Sequence, residues 1–435
     1  MMYDPAIISY VLGGAVVLLL VLGIPLAFST GFVAVAASML LMGPNGLYII
    51  ASRTYSFFDS SALAAVPLFI LMASTLERSS LARDLYQAIY IWTARLPGGV
   101  ALVTVFVGVI LAAAVGVVGG EIVLLGLIAL PQMLRLGYDR KLAIGTVCAS
   151  GSLGTMVPPS IVLIFYGINT STDVSALFKA AVIPGLLLAV MYCLYIVLRT
   201  LLNPRVAPRP SVEEMQIPLR EKLKITAGIV PALAVVLCVM GSIYIGIASV
   251  TEAAALGVLG TYIATAIRGE LNIDVVRGSL KQTMSTCGMV LWLVVGTNAL
   301  IGIYTVVGGV DFLRDQFADL TIAPIYVILL MLGVFFIMGA FIDWLGVLLL
   351  TMPVFAPVVA DLGYDLVWFG ILFSLTMQAA YLTPPFAPAA FYLKGVVSDD
   401  ISLGEILNSM WPFIAAQLLT LALVLFYPPL TGLLN

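Results

Sequence analysis

Two stretches of this chain place proline where an apolar helix would otherwise continue: residues 150–160 read SGSLGTMVPPS and residues 378–388 read QAAYLTPPFAP. Proline removes a backbone donor and pushes the residue before it out of helical geometry, so a helix entering either stretch must stop there. A stopped helix leaves unpaired carbonyls at its end and its successor begins with unpaired amides, which suit a cation and an anionic group respectively. The chemistry on offer is ion binding rather than bond making. Glu121, Glu252 and Asp343 fall inside apolar stretches, where a charge is costly and a functional role is the default expectation. For Glu252, a carboxylate at a helix start just after Thr251 is an equally good reading. The chain has no histidine, which removes a histidine proton relay, a histidine-ligated metal and a Ser-His triad. Cys148, Cys193, Cys238 and Cys287 stand singly, without metal spacing, and read as small buried core residues.

Apolar helices must position these stretches. Of 435 residues, 62% are hydrophobic and only 9% charged, and many runs reach the about 20 residues that a helix needs to cross a hydrocarbon layer. Spans are expected at residues 7–28, 30–51, 57–77, 176–201, 225–246, 250–267, 283–305 and 405–427. Alternation with a period of two is absent, so the fold class is an all-α polytopic membrane protein and not a barrel. The first span runs straight into further spans and shows no small-residue cleavage site, so it does not read as a removable signal peptide. Basic residues sit in short loops and the net charge is -3, which reports topology and excludes nucleic acid as a partner. The lipid bilayer is the expected surrounding.

The longest polar interruption, NPRVAPRPSVEEMQIPLREKLK at 203–224, reads as a cytoplasmic linker between halves 1–202 and 225–435. A shift of 226 residues aligns LGYD at 136–139 with LGYD at 362–365, Pro158-Pro159 with Pro384-Pro385, Gly120 with Gly346, Pro131 with Pro357, and Phe165-Tyr166 with Phe391-Tyr392. Such shared register of scarce residues indicates an internal duplication. Arg135, Arg140 and Lys141 flank the first LGYD, whereas Asp361 and no cation stand beside the second. Positive residues mark the cytoplasmic side, so the two turns are expected to face opposite compartments and the repeat to be inverted.

Counting spans supports this expectation. A crossing at 142–170 and a return at 176–201 place Arg205, Arg209, Arg220, Lys222 and Lys224 in the cytoplasm. With Arg95 on that same side, residues 99–134 must enter and leave by one face, forming a re-entrant hairpin whose tip is GVVGGE, 116–121. The mirror hairpin is 323–360, with its tip at GAFIDWLG, 339–346, and the second broken helix is 366–395. Mixed-polarity stretches before the hairpins, 83–95 and 311–319, read as helices lying along the interface. Broken helices and re-entrant hairpins in an inverted duplication are the architecture of a secondary transporter with a midplane site.

The wording of residues 130–167, 251–257 (TEAAALG), 339–373 and 382–395 (LTPPFAPAAFYLKG) resembles the large membrane subunit of tripartite ATP-independent periplasmic (TRAP) transporters, the DctM-like family. The resemblance covers nearly the whole chain. It implies an elevator-type transporter of the bacterial inner membrane, in which a body carrying both hairpins and both broken helices slides against a scaffold. It further implies a small DctQ-like membrane subunit, a periplasmic substrate-binding protein, a small carboxylate substrate and sodium as the coupling ion, with no cofactor. Carried over by position, one sodium site involves Gly116, Gly119, Gly120, Ser150, Gly151, Ser152, Gly154 and Thr155. The other involves Gly339, Asp343, Gly346, Gln378 and Thr383 with the carbonyls of Tyr381 and Leu382. The chain departs from many members of the family in having Val117, Val118 and Gly119 where they carry hydroxyls, and Ala379-Ala380 where they carry Thr-Ser. Backbone carbonyls must then do more of the work. A substrate carboxylate is expected to meet half-helix N-termini and the hydroxyls of Thr155, Ser160 and Thr383, with Asn298; the aromatic pairs read as packing.

The rival within the same superfamily is a stand-alone sodium- or proton-coupled anion carrier that needs no binding protein. An intramembrane enzyme lacks a nucleophile-base pair or a cofactor motif. A channel fits less well, because the site is built of movable hairpins rather than a ring of identical filter residues.

Overall fold

The computed structural model describes residues 4–93, 96–116, 119–208, 218–318 and 322–432, and the regular elements among them are helices without a strand. The first half runs α1 (Pro5–Val21), α2 (Leu26–Met42), α3 (Gly46–Phe58), α4 (Ala65–Glu77), α5 (Leu81–Thr93), α6 (Gly99–Val115), α7 (Gly120–Arg135), α8 (Arg140–Gly151), α9 (Ile161–Thr170) and α10 (Val174–Leu202). The second runs α11 (Leu219–Ala227), α12 (Val230–Ile245), α13 (Val250–Ile267), α14 (Ile273–Val306), α15 (Gly309–Ala318), α16 (Pro324–Gly339), α17 (Trp344–Asp361), α18 (Leu366–Leu382), α19 (Pro388–Lys394) and α20 (Leu403–Phe426). Among the described residues six helices are long and apolar enough to cross a membrane, or up to eight if each of two bent pairs is one span. The bends are 64° between α4 and α5 and 44° between α11 and α12.

Moved by 226 positions, α1 and α2 fall on α12 and α13, and α5 to α10 fall on α15 to α20, with helix starts agreeing to within three residues. The single long α14 covers the positions of both α3 and α4. Each LGYD combines a helix stop with a helix start. Gly137 and Gly363 adopt φ of 78° and 79°, a left-handed conformation that costs an ordinary residue about 1 kcal/mol and glycine almost nothing. The next amide turns back: Tyr138 N donates to Met133 O at 3.0 Å and Tyr364 N to Val359 O at 3.1 Å. Asp139 and Asp365 then cap the following helix, accepting from Leu142 N at 3.0 Å and Val367 N at 2.7 Å. Four residues therefore turn an apolar chain between two helices while leaving few backbone groups unpaired.

Helix packing pairs the halves reciprocally: α7 meets α19 while its counterpart α17 meets α9, and α8 meets α20 while its counterpart α18 meets α10. The α6–α7 and α16–α17 pairs each pack together across connections of four residues. α5 buries Leu81, Ala82, Leu85, Tyr86 and Ala88 along one stripe, as an amphipathic helix at a boundary does.

Several span limits differ from the sequence reading for identifiable reasons. Gly23 and Pro25 lie in the turn that separates α1 from α2, so the apolar run is two helices whose junction comes earlier than expected. The expected span 283–305 begins ten residues sooner at Ile273, because Asn272 caps it through Val275 N at 2.9 Å and its first turns carry Asp274, Arg277 and Lys281; hydropathy sees only the apolar part. The end of the expected linker is already helical as α11. Arg95, Val117, Val118, Arg209 and Asp319, which the sequence reading used, lie outside the described residues.

Candidate functional site

At the first break α8 ends at Gly151, a 3-10 turn covers Ser152–Thr155, and helix resumes only at Ile161. At the second, α18 ends at Leu382 and α19 begins at Pro388. Both proline pairs contain a cis peptide bond. In an apolar interior a hydroxyl finds the nearest carbonyl behind it, and the break residues do so. Ser152 Oγ donates to Ala149 O at 2.8 Å, Thr155 Oγ1 to Ser152 O at 3.1 Å, Ser160 Oγ to Thr155 O at 2.6 Å and Thr383 Oγ1 to Ala379 O at 2.8 Å. Their hydrogens are thus committed, and what Thr155, Ser160 and Thr383 still offer is lone pairs. Thr155, Ser160 and Thr383 thus present oxygen acceptors at the breaks.

The first tip docks onto the first break. Gly116 O accepts from Ile161 N at 3.4 Å, and Gly116 adopts φ of 62° with a Cβ there running into the Pro159 carbonyl. A Cβ on Gly151 would stand 2.8 Å from Ile122 N, and one on Gly154 would stand 2.8 Å from Glu121 Oε1. Gly120 lies against the Glu77 carboxylate, and the Tyr392 ring covers Gly119. The buried Ser150 hydroxyl and both Glu121 carboxylate oxygens lack a hydrogen-bond partner.

The second tip docks similarly, with Ala340 O accepting from Phe386 N at 3.2 Å and Gly339 pressed on Ala380 and Met377. Gly346 lies in the first turn of α17 beside Ile342 and Leu26. Asp343 caps α17, accepting from Leu345 N at 3.2 Å, and its side chain is exposed. Tyr381 and Leu382 close α18, where carbonyls lack intrahelical donors. Gln378 reaches across the halves instead: its Nε2 donates to Ser152 Oγ at 3.4 Å while Oε1 is buried without a partner. Asn298 stands on α14, half-buried, with a buried and unpartnered Nδ2.

A cavity of about 350 Å³ opens between α3, α4, α9 and α14, lined by Phe58, Leu63, Phe165, Cys287 and Leu291 among others. Phe165 stacks on Phe57 at 6.3 Å and meets Trp344 edge-on at 6.1 Å, which brings the cavity to the second tip. Tyr166 is core packing, its hydroxyl donating to Leu366 O at 2.7 Å. Phe391 and Tyr392 are more open, at 52% and 44% exposed, although the Tyr392 ring still packs on Gly119. Cys148 alone among the cysteines is buried; Cys238 is exposed, because an outward-facing helix surface in lipid is as apolar as a core. Glu252 forms a capping box with Ser249, the structural reading of that acid. Sequence reasoning missed Glu77 and Ser374. Glu77 ends an apolar run like any boundary acid, and Ser374, whose Oγ donates to Thr155 O at 2.8 Å, carries no local signal.

This arrangement of helices is one that solved transporters also have. It superposes on the solved structure of the Alcanivorax borkumensis YdaH transporter with a TM-score of 0.65 at 16% identity, over 92% of this chain and 95% of that one. Residues 13–430 match the family described as "Tripartite ATP-independent periplasmic transporter, DctM component", and the chain belongs to that family. It is 27% identical over 396 residues to the C4-dicarboxylate TRAP transporter large permease protein DctM of Pseudomonas aeruginosa, covering 90% of each chain. It is 28% identical over 419 residues to the sialic acid TRAP transporter large permease protein SiaM of Vibrio cholerae, covering 96% of each. The chain is a multi-pass membrane permease component and not an enzyme.

Proposed function

We propose that this chain is the large permease of a sodium-coupled importer in the bacterial inner membrane, receiving a small organic acid anion from a periplasmic binding protein and working with a small membrane subunit. The family description names a tripartite and ATP-independent system, which calls for three components and an ion gradient as the driving force. The relatives' names carry carboxylic acids. The observation that carries the reading is the set of buried acceptors without donors at the first break: Ser150 Oγ and Gln378 Oε1, beside hydroxyls whose hydrogens are already committed. Buried oxygens left without a partner are what a hard cation takes. One sodium then lies between the first tip and Ser150 to Thr155, and a second between the other tip and the end of α18. The substrate carboxylate meets half-helix amides and the free Asn298 Nδ2.

The two halves are inverted copies. In support, Gln378 and Ser152, which touch, are themselves 226 residues apart; equivalent positions meet only at an axis relating the copies. The reciprocal α7–α19 and α17–α9 pairings follow the same rule. An elevator step then moves the body of α6 to α10 and α16 to α20 against α1 to α4 and α11 to α14, with α5 and α15 as the connecting arms. Reconstitution tests this: uptake into proteoliposomes should require the binding protein, the small subunit and an inward sodium gradient. Uptake by this chain alone overturns the tripartite reading in favour of the stand-alone carrier.

A further inference from the structure

Among the described residues Glu121 is the one Asp, Glu, Lys or Arg that is buried, at 1% exposure. It occupies the first turn of α7, where free amides would welcome a carboxylate, yet neither of its oxygens accepts a hydrogen bond. The carboxylate instead rests on the non-helical segment of the first break: a Cβ on Gly154 would be 2.8 Å from Oε1 and 3.2 Å from Oε2. That close approach leaves no room for a side chain between acid and backbone. Ser150, one turn earlier near the end of α8, is fully buried with an unpartnered hydroxyl. The half-buried Glu77 carboxylate borders the same tip through Gly120, and no buried lysine or arginine stands among the described residues to neutralise either acid.

A desolvated carboxylate with neither a donor nor a counter-charge is strongly unfavourable, so it either takes up a proton or meets a cation, and the unpartnered Ser150 oxygen at the same break favours the cation. We propose that the Glu121 carboxylate is the charged ligand of a monovalent-cation site at the first break, with sodium as the cation; the inference rests on the sodium-coupled reading above. One buried carboxylate balances one positive charge, whereas a divalent ion leaves an uncompensated charge in the apolar body. Glu77, half-exposed, keeps part of its hydration and shapes the field at the entrance. The site has a consequence for coupling. Loaded, it is neutral and free to cross with the moving body; empty, it either crosses as a bare anion, which is costly in the apolar interface, or must first take up a proton. Sodium binding thereby licenses movement, which a site made of neutral carbonyls does less strictly.

The test is equilibrium binding of radioactive sodium to the purified chain in lipid nanodiscs, which needs no partner and no transport. Wild type should bind sodium saturably. Glu121→Gln, which keeps the shape and removes the charge, should bind it about tenfold or more weakly, and Glu121→Asp, which keeps the charge but withdraws it, should fall between. Wild-type affinity in a monodisperse Glu121→Gln protein overturns the proposal while leaving the sodium reading intact. Absence of binding by wild type overturns both. Should Glu121→Gln not yield folded protein, Glu121→Ala in a monodisperse preparation takes its place: sodium binding about tenfold or more weaker supports the assignment, and wild-type affinity rejects it.

Discussion

Replacing Gly116 with alanine probes the docking of the first tip onto the first break. The residue sits at φ of 62°, where an alanine costs about 1 kcal/mol relative to glycine. Its methyl also meets the Pro159 carbonyl, so the tip must lift, and the 3.4 Å bond from Ile161 N to Gly116 O is lost. Losing a buried hydrogen bond of ordinary strength adds about 0.5–1.5 kcal/mol. The combined penalty is about 1.5–2.5 kcal/mol, which moves the docked population by roughly 10- to 60-fold. Sodium-driven uptake in proteoliposomes containing all three components should fall by one to two orders of magnitude, and the sodium concentration for half-maximal uptake should rise, while the amount of folded protein in the membrane holds. The control is Gly333→Ala on α16, where a Cβ meets nothing within 4 Å; an exposed helical alanine should be neutral or slightly stabilising. Wild-type sodium dependence in Gly116→Ala refutes the idea that tip docking and ion binding are one event.

Other consequences are simpler to state. Thr155→Val and Thr383→Val remove lone pairs while freeing a carbonyl each, so sodium activation should weaken more than protein abundance; sodium titration of uptake decides, and an unchanged curve removes these hydroxyls from the ion sites. Replacing Pro158-Pro159 with Ala-Ala restores two amides and permits a continuous helix through the break, so uptake should be abolished in a protein that still inserts, and full activity excludes the break as the site. Asp400, in the loop before α20, is held below the usual carboxylate range by the Ser398 hydroxyl first and the Arg140 guanidinium next. A depressed folded value means that this stabilisation is complete above the unfolded value of about 3.9 and is lost as pH falls through the lower folded one. Asp400→Asn should therefore melt a little below wild type at neutral pH and converge on it in acid, as thermal scans across pH would show; a gap that widens in acid contradicts the sign.

The legible parts of the fold were those dictated by residues with hard local constraints. LGYD announced a helix stop and start because glycine alone takes the left-handed position cheaply and aspartate alone of its neighbours can cap. The proline pairs announced breaks because proline lacks an amide hydrogen. What stayed hidden was whatever depends on distant partners. Hydropathy does not separate a lipid-facing surface from a core, so Cys238 reads as a core residue when it faces out. Asp343 and Glu121 look alike in sequence, yet one is an exposed helix cap and the other a buried acid without a partner. The direction in which Thr155, Ser160 and Thr383 spend their hydrogens follows from carbonyls made available by the break, which a residue list does not contain. Sequence register, by contrast, carried far: the contact of Gln378 with Ser152 falls on the interval already marked by the two turns.

The central claim is that the two halves stand in opposite orientation with ions and substrate held between their breaks. The most direct measurement places single cysteines at Lys141 and Asp361, both exposed beside the two LGYD turns, in a cysteine-free background, and labels sealed right-side-out and inverted membrane vesicles with an impermeant maleimide. The account predicts that Lys141→Cys reacts from the cytoplasmic face only and Asp361→Cys from the periplasmic face only. Labelling of both positions from the same face contradicts it.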